Sequence, residues 1–232
     1  RVSCWGASLG ASPTDRMSAI SVGTTHACAL RIDGSVACWG DNAGGQATPP
    51  AGRFYFVSSG DGFSCGIREN SSLACWGQGA AVAQVPAGAF YGRLSARGGN
   101  VCAIDFGNGI HCWGADAAAL TPPQGLDYLH EIAVGDRHAC VLRGNGVVSC
   151  WGNNQNGQLT APTGDAFTAI AAGGDATCAV NTGMVCWGTT VASIPAPTYL
   201  IGSGNLDAGT AHTCQSRANG SVGCWGDNSF GQ

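Results

Sequence analysis

The chain has no lysine. Its ten basic residues are all arginine and never adjacent, against fourteen acidic ones, for a formal charge of −4. A basic patch able to track a phosphate backbone is therefore excluded, and nucleic acid is not expected as a partner. Charge of either sign is scarce, at 10% of residues where about a quarter is usual for a soluble domain. With 44% hydrophobic residues the chain nonetheless carries enough apolar side chains for a packed core, which argues against disorder. No apolar stretch approaches the ~18 residues that a membrane helix needs, so direct membrane insertion is not expected. The opening residues Arg1-Val2-Ser3-Cys4-Trp5-Gly6 lack the apolar core of a signal peptide. Also missing are Cys-x-x-Cys, His-Glu-x-x-His, a phosphate loop and a nucleophile elbow. No metal, no cofactor and no enzymatic activity are expected.

What the chain does have is repetition. Cys-Trp-Gly occurs seven times, with cysteines at 4, 38, 75, 112, 150, 186 and 224, and takes up every tryptophan. A second block, small residues and glycine followed by a short turn and a cysteine, precedes six of them, as in Val22-Gly23-Thr24-Thr25-His26-Ala27-Cys28. Polar turns such as Asp41-Asn42-Ala43-Gly44-Gly45-Gln46 follow. Each unit reads as four short strands: A (169–172), B (139–142), C (147–151) and D (158–160) in the best-preserved copy. Four strands in a repeat of 34 to 38 residues predict an all-β fold, a β-propeller running as one domain over 1–232. Seven blades are expected and six are the alternative. Val2-Ser3-Cys4-Trp5 reads as the C strand of the seventh, whose A and B strands would lie beyond Gln232. Cys4 is then unpaired here, or paired outside this chain.

In five units the B and C cysteines are ten residues apart, and in one they are eight apart. The shared parity sets them opposite each other across a hairpin centred on Asp33, Asn70, Gly107, Asn145, Thr182 or Asn219. The next residue, Gly34, Ser71, Asn108, Gly146, Gly183 or Gly220, should adopt the left-handed conformation that closes a three-residue loop. Six disulfides follow: Cys28–Cys38, Cys65–Cys75, Cys102–Cys112, Cys140–Cys150, Cys178–Cys186 and Cys214–Cys224. They imply an oxidising, extracellular or cell-surface location. Asn70-Ser71-Ser72 and Asn219-Gly220-Ser221 are glycosylation sequons at hairpin tips, which matters if the source is eukaryotic.

Residues 21–46 resemble the repeat of the regulator of chromosome condensation superfamily, and a fainter likeness extends over essentially the whole chain. The short unit is similar to that of secreted propellers that inhibit beta-lactamases. The cysteine pairs are similar to those of crinkly-type receptor kinase ectodomains. The resemblance implies the propeller and little about function, because propellers host many unrelated ones. In the lactamase-inhibiting propellers the A–B loops carry the binding anchors. Here those loops hold Thr24, Thr25, His26, Asp61, Phe63, Asn100, Asp136, Arg137, His138, Asp175 and His212, which are the candidate binding residues. His26, His138 and His212 share one repeat position and are expected to hydrogen-bond their own turns. The seven tryptophans are expected between blades. The resulting expectation is a secreted or surface recognition module for a protein or glycan. The alternatives are a structural subunit of an extracellular assembly, with Phe54-Tyr55-Phe56 and Phe90-Tyr91 as candidate contacts, and more distantly a hydrolase or lactamase inhibitor.

Overall fold

Short runs of small and β-branched residues, interrupted every five or six positions by glycine or an Asx turn, cannot sustain helices and pair locally as antiparallel strands. The computed structural model describes residues 4, 10, 12–87, 91–163, 166–188, 206–216 and 222–229. Two compact units appear, Arg1–Ala118 and Ala119–Gln232.

In the first unit, β1 (Met17–Val22), β2 (His26–Arg31) and β3 (Val36–Gly40) form one sheet. β4 (Phe54–Ser59), β5 (Phe63–Arg68) and β6 (Leu73–Gly77) form a second, and β7 (Tyr91–Arg97), β8 (Asn100–Asp105) and β9 (Ile110–Gly114) a third. A four-residue helix, α1 (Ala80–Ala83), follows β6. The second unit repeats the plan with β10 (Leu129–Val134), β11 (His138–Arg143) and β12 (Val148–Gly152), then β13 (Ala169–Gly173), β14 (Ala176–Val180) and β15 (Met184–Gly188), then β16 (Leu206–Ala208), β17 (His212–Ser216) and β18 (Val222–Gly226). Every sheet is an antiparallel meander in chain order, the blade of a β-propeller. The described residues hold six such blades. The proposed strand at Cys4 lies in a stretch whose other members fall outside them; Cys4 itself is exposed and forms no disulfide.

Blades have three strands, not the four read from the sequence. The stretch expected as strand D, Gln158-Leu159-Thr160, is a turn. Its amides are satisfied locally: Leu159 N donates to Asn154 Oδ1 (3.0 Å) and Thr160 N to the Gly157 carbonyl (3.0 Å). Asparagine offered the backbone a partner that competed with a ladder.

The cysteines face each other across every hairpin, with Cα atoms 4.0–4.1 Å apart in all six disulfides. The register stays intact where the loop is shortest, with Cys178 directly opposite Cys186. Gly34, Ser71, Asn108 and Gly146 all take positive φ, at 86°, 64°, 64° and 82°. Gly183 does not, a departure from expectation. Its loop is closed by a tighter Asn181 N to Gly183 O bond (2.9 Å), backed by Gly183 N on the Asn181 carboxamide. Asn219 and Gly220 lie outside the described residues, whereas Asn70 is exposed and its Oδ1 accepts from Ser72 N and Oγ.

At the junctions inside each unit, strand alternation sends the disulfide toward the following blade and the tryptophan toward the preceding one. In the first unit Cys28, Leu30 and Val36 pack on Phe54, Val57 and Trp76, and Phe63, Cys65 and Ile67 on Tyr91, Leu94 and Trp113. In the second, Cys140, Leu142 and Val148 meet Phe167, Ile170 and Trp187. The indole nitrogens complete the junctions. Trp76 donates to the Gln46 carbonyl (3.0 Å), Trp113 to Ala81 (2.9 Å), Trp151 to Leu120 (2.8 Å) and Trp187 to Gln158 (2.8 Å). Phe54 and Tyr91, considered above as contact residues, belong to this core at 2% and 0% exposure. Tyr55 sits where strand β4 slips register against β5 and is partly exposed. Phe90 lies outside the described residues.

Candidate functional site

Five of the six A–B turns begin with glycine, with Arg97 in that place in the third, and each ends on the residue that starts strand B. That last residue points inward. His26, Asn100 and His138 are fully buried and Phe63 is 1% exposed, so none of the four belongs to the binding loops in which the sequence placed them. The rings of His26, Phe63 and His138 lie against the first glycine of their turns. A Cβ added at Gly60 would stand 2.4 Å from Phe63 Cε1, and one at Gly135 2.2 Å from His138 Cε1. The Gly-x-x-His signature is thus a packing device, and any larger residue in place of the glycine would displace the ring.

The histidines bond across blades and not within their own turns. His26 Nε2 lies 2.7 Å from Ser64 Oγ of the next blade, and His138 Nε2 lies 2.8 Å from Thr177 Oγ1. The same hydroxyls approach the preceding disulfide, Ser64 Oγ at 3.2 Å from Cys28 Sγ and Thr177 Oγ1 at 3.5 Å from Cys140 Sγ. Burial holds His138 well below the usual histidine value, at about 4, with the Asp175 carboxylate opposing. Burial also lowers His26, against the pull of Asp41 and Asp61. Ser64 and Thr177 went unnoticed in the sequence, although a signal existed. Where a repeat begins strand B with histidine (His26, His138), the next repeat carries a hydroxyl residue before its B cysteine (Ser64, Thr177); where it begins with Phe63, the next carries Val101.

The solvent-facing part of the loop face is narrower than expected. Thr24, Thr25, Asp61 and Arg137 are exposed, while Asp136, Asp175 and His212 are half-buried. In the first unit these turns, together with the polar turn after β3, border an open cleft of about 430 Å³ between the first two blades. Thr25 and Asp61 line it, joined by Asp41 and Gln46, which the sequence reading placed in a polar turn, and by Gln78, which it did not single out. The polar turn is braced internally: Asp41 Oδ1 accepts from Ala43 N (3.1 Å), Asp41 Oδ2 from Gln46 Nε2 (2.7 Å), and Gln46 Oε1 from Gly44 N (2.8 Å). Thr24 Oγ1 donates to Asp61 Oδ1. A braced notch lined by two carboxylates results.

In the second unit the corresponding positions between its first two blades bond one another. Asp175 receives Asn156 Nδ2 at 2.9 Å and Gln158 Nε2 at 3.3 Å, and Arg137 Nη2 stands 3.7 Å away. Among the described residues no group of three or more His, Cys, Asp or Glu side chains could hold a metal ion, and no helix is long and apolar enough to cross a membrane.

Two stretches, residues 17–46 and 130–158, match the regulator of chromosome condensation (RCC1) repeat. No curated protein matches the chain. Among solved structures, the CRINKLY ectodomain of the Arabidopsis thaliana receptor kinase ACR4 superposes with a TM-score of 0.76 at 27% identity, over 90% of this chain and 85% of that one. The entire ectodomain of the Physcomitrella patens receptor kinase CR4 gives 0.78 at 28% identity, over 90% of this chain but 64% of that one, so the chain spans less than two thirds of that ectodomain. Yeast RCC1 (Prp20), solved bound to Kap60, gives 0.73 at 17% identity, over 91% of this chain and 70% of that one, a likeness of fold alone. The chain is an all-β propeller, two stretches of which match the RCC1 repeat.

Proposed function

We propose that this chain is a non-catalytic recognition module of a secreted or cell-surface protein, which engages a protein or glycan through its loop face. The observation that carries this reading is the open, internally braced cleft bordered by Thr25, Asp41 and Asp61, a preformed polar concavity on a face otherwise made of short turns. Six disulfides support an oxidising compartment, as do the two receptor ectodomains to which the chain is similar. The His26–Ser64 pair offers no hydrolytic site, because both residues are fully buried.

The test is an array of secreted proteins and glycans probed with the oxidised chain. A loop-face variant of the first unit, Thr24→Lys with Asp61→Lys, is compared with a variant at the opposite end of the strands, Asp33→Lys. A partner lost in the first and kept in the second supports the reading; a partner lost only in the second overturns it.

A second reading, a subunit of an extracellular assembly, draws on a different observation. Ile32, Phe106 and Tyr128 are exposed at 67%, 68% and 79%, apolar positions that copies of the chain would cover.

A further inference from the structure

We infer that Cys140–Cys150 is a site of thiol–disulfide exchange: the thiolate of a dithiol attacks Cys150 Sγ, and Cys140 leaves as a thiolate held by the Thr177 hydroxyl. The inference comes from what each buried B-strand sulfur meets on the following blade. Cys140 Sγ lies 3.5 Å from Thr177 Oγ1, Cys178 Sγ 3.5 Å from Thr213 Oγ1, and Cys28 Sγ 3.2 Å from Ser64 Oγ. Cys65 instead packs in a cluster with Val101, which stands where those hydroxyls do. A disulfide sulfur has no hydrogen, so in all three contacts the hydroxyl is the donor.

What stands behind the hydroxyl differs from junction to junction. His138 is neutral because it is buried, and a neutral imidazole carries one ring hydrogen. On Nδ1, which is buried without a partner, that hydrogen would be an orphaned donor and the sulfur would receive nothing. On Nε2 it is accepted by Thr177 Oγ1 at 2.8 Å, and the threonine's own hydrogen goes to Cys140 Sγ. Each bond in such a chain polarises the next. Thr213 has no such support, because Ala176 occupies the place of His138. Ser64 has it from His26 at 2.7 Å, but shares its hydroxyl with Ser59 Oγ at 3.0 Å. Cys140 therefore meets the best-supported donor of the series.

Burial selects the atom that is attacked. Cys140 is fully buried and Cys150 only half-buried, as are Cys75 and Cys186 in their own hairpins. The incoming sulfur bonds to Cys150 Sγ while the S–S bond breaks and its electron pair passes to Cys140 Sγ. A thiolate formed in apolar surroundings is costly unless a donor meets it, and a better stabilised leaving thiolate departs faster. The second thiol of the dithiol then displaces Cys150 from the mixed disulfide. The dithiol ends as a disulfide, the cystine has gained two electrons, and the two thiol protons finish on Cys140 and Cys150.

The test treats the full oxidised chain, with Cys4 alkylated beforehand, with dithiothreitol under native conditions. Freed thiols are trapped by an isotopically labelled alkylating reagent, and each cystine's opening rate is read by peptide mass spectrometry. Cys140–Cys150 is expected to open about tenfold faster than Cys65–Cys75, the effect of one charge-assisted hydrogen bond partly formed in the transition state, with Cys178–Cys186 between them. Thr177→Val, which copies Val101, should slow Cys140–Cys150 to the rate of Cys65–Cys75 and leave Cys178–Cys186 unchanged, whereas Thr177→Ser should keep the fast rate. A hydroxyl that only held the blades together would give the opposite sign, because a loosened junction admits the reductant sooner. If Thr177→Val alone does not fold, His138→Phe with Thr177→Val reproduces the Phe63–Val101 junction that this chain already folds with, and the same slowing is expected. Equal rates for Cys140–Cys150 and Cys65–Cys75, or a valine variant that opens as fast as the parent or faster, would overturn the inference.

Discussion

At the scale of the residue, His138 shows how one side chain serves packing and cohesion together. It stacks on Gly135, bonds Thr177 of the neighbouring blade, and stays neutral because it is buried. Its value of about 4 lies below the 6.5 of an exposed histidine, so the unfolded chain binds the extra proton first as pH falls. Stability from this residue is complete above pH ~6.5, declines between there and about 4, and is lost below, by something on the order of 3 kcal/mol. Urea midpoints measured from pH 7 to 4 should therefore fall toward acid. His138→Phe, which copies Phe63, should flatten that slope. An acid slope unchanged in the variant would show that another group causes it. That histidine marked this position could be read directly; that it was buried could not, because Gly-x-x-His describes an exposed turn equally well until the next blade is laid against it.

At the scale of the element, the hairpin is the unit of construction. Two cysteines ten residues apart, an Asx residue at the tip and a left-handed residue after it specify the register without any help from the rest of the fold. Ser71 takes φ of 64° in its hairpin as the glycines do in theirs, so the loop geometry overrides the residue's own preference. Each disulfide closes a short loop. Removing one, as in Cys102→Ala with Cys112→Ala, should cost about 2–3 kcal/mol by chain entropy, because the cross-link constrains only its own hairpin. Calorimetry of the oxidised protein would check this. A loss of all cooperative unfolding would mean instead that the cystine, whose Cys102 is fully buried, is indispensable to the packing of its blade. The expected strand D failed at this same scale. Gln158-Leu159-Thr160 has no alternation to distinguish a strand from a turn, and asparagine and glycine at 154 and 157 decide the matter locally.

At the scale of the molecule, recognition and assembly make opposite demands. A recognition module should run as one species near 23.3 kDa by light scattering of the oxidised protein with Cys4 alkylated. A polymer under those conditions would shift the weight to the assembly reading and to exposed side chains such as Ile32 and Phe106. The cleft belongs to this scale too. Asp41 and Asp61 are twenty positions apart, in turns of different blades, and no pattern along the chain pairs them.

The sequence alone determined the repeat, the all-β class, the opposition of the cysteines within each hairpin and the alternation that sends tryptophan and cystine to opposite faces. All of these depend on residues close together in the chain, where spacing and parity translate directly into geometry. The tertiary structure alone decided which turn residues face solvent, which hydroxyl each buried histidine finds, and which turns border the cleft of the first unit. These depend on how one repeat packs against the next, and the pleat that places a side chain on a given face does not say what the neighbouring blade presents to it.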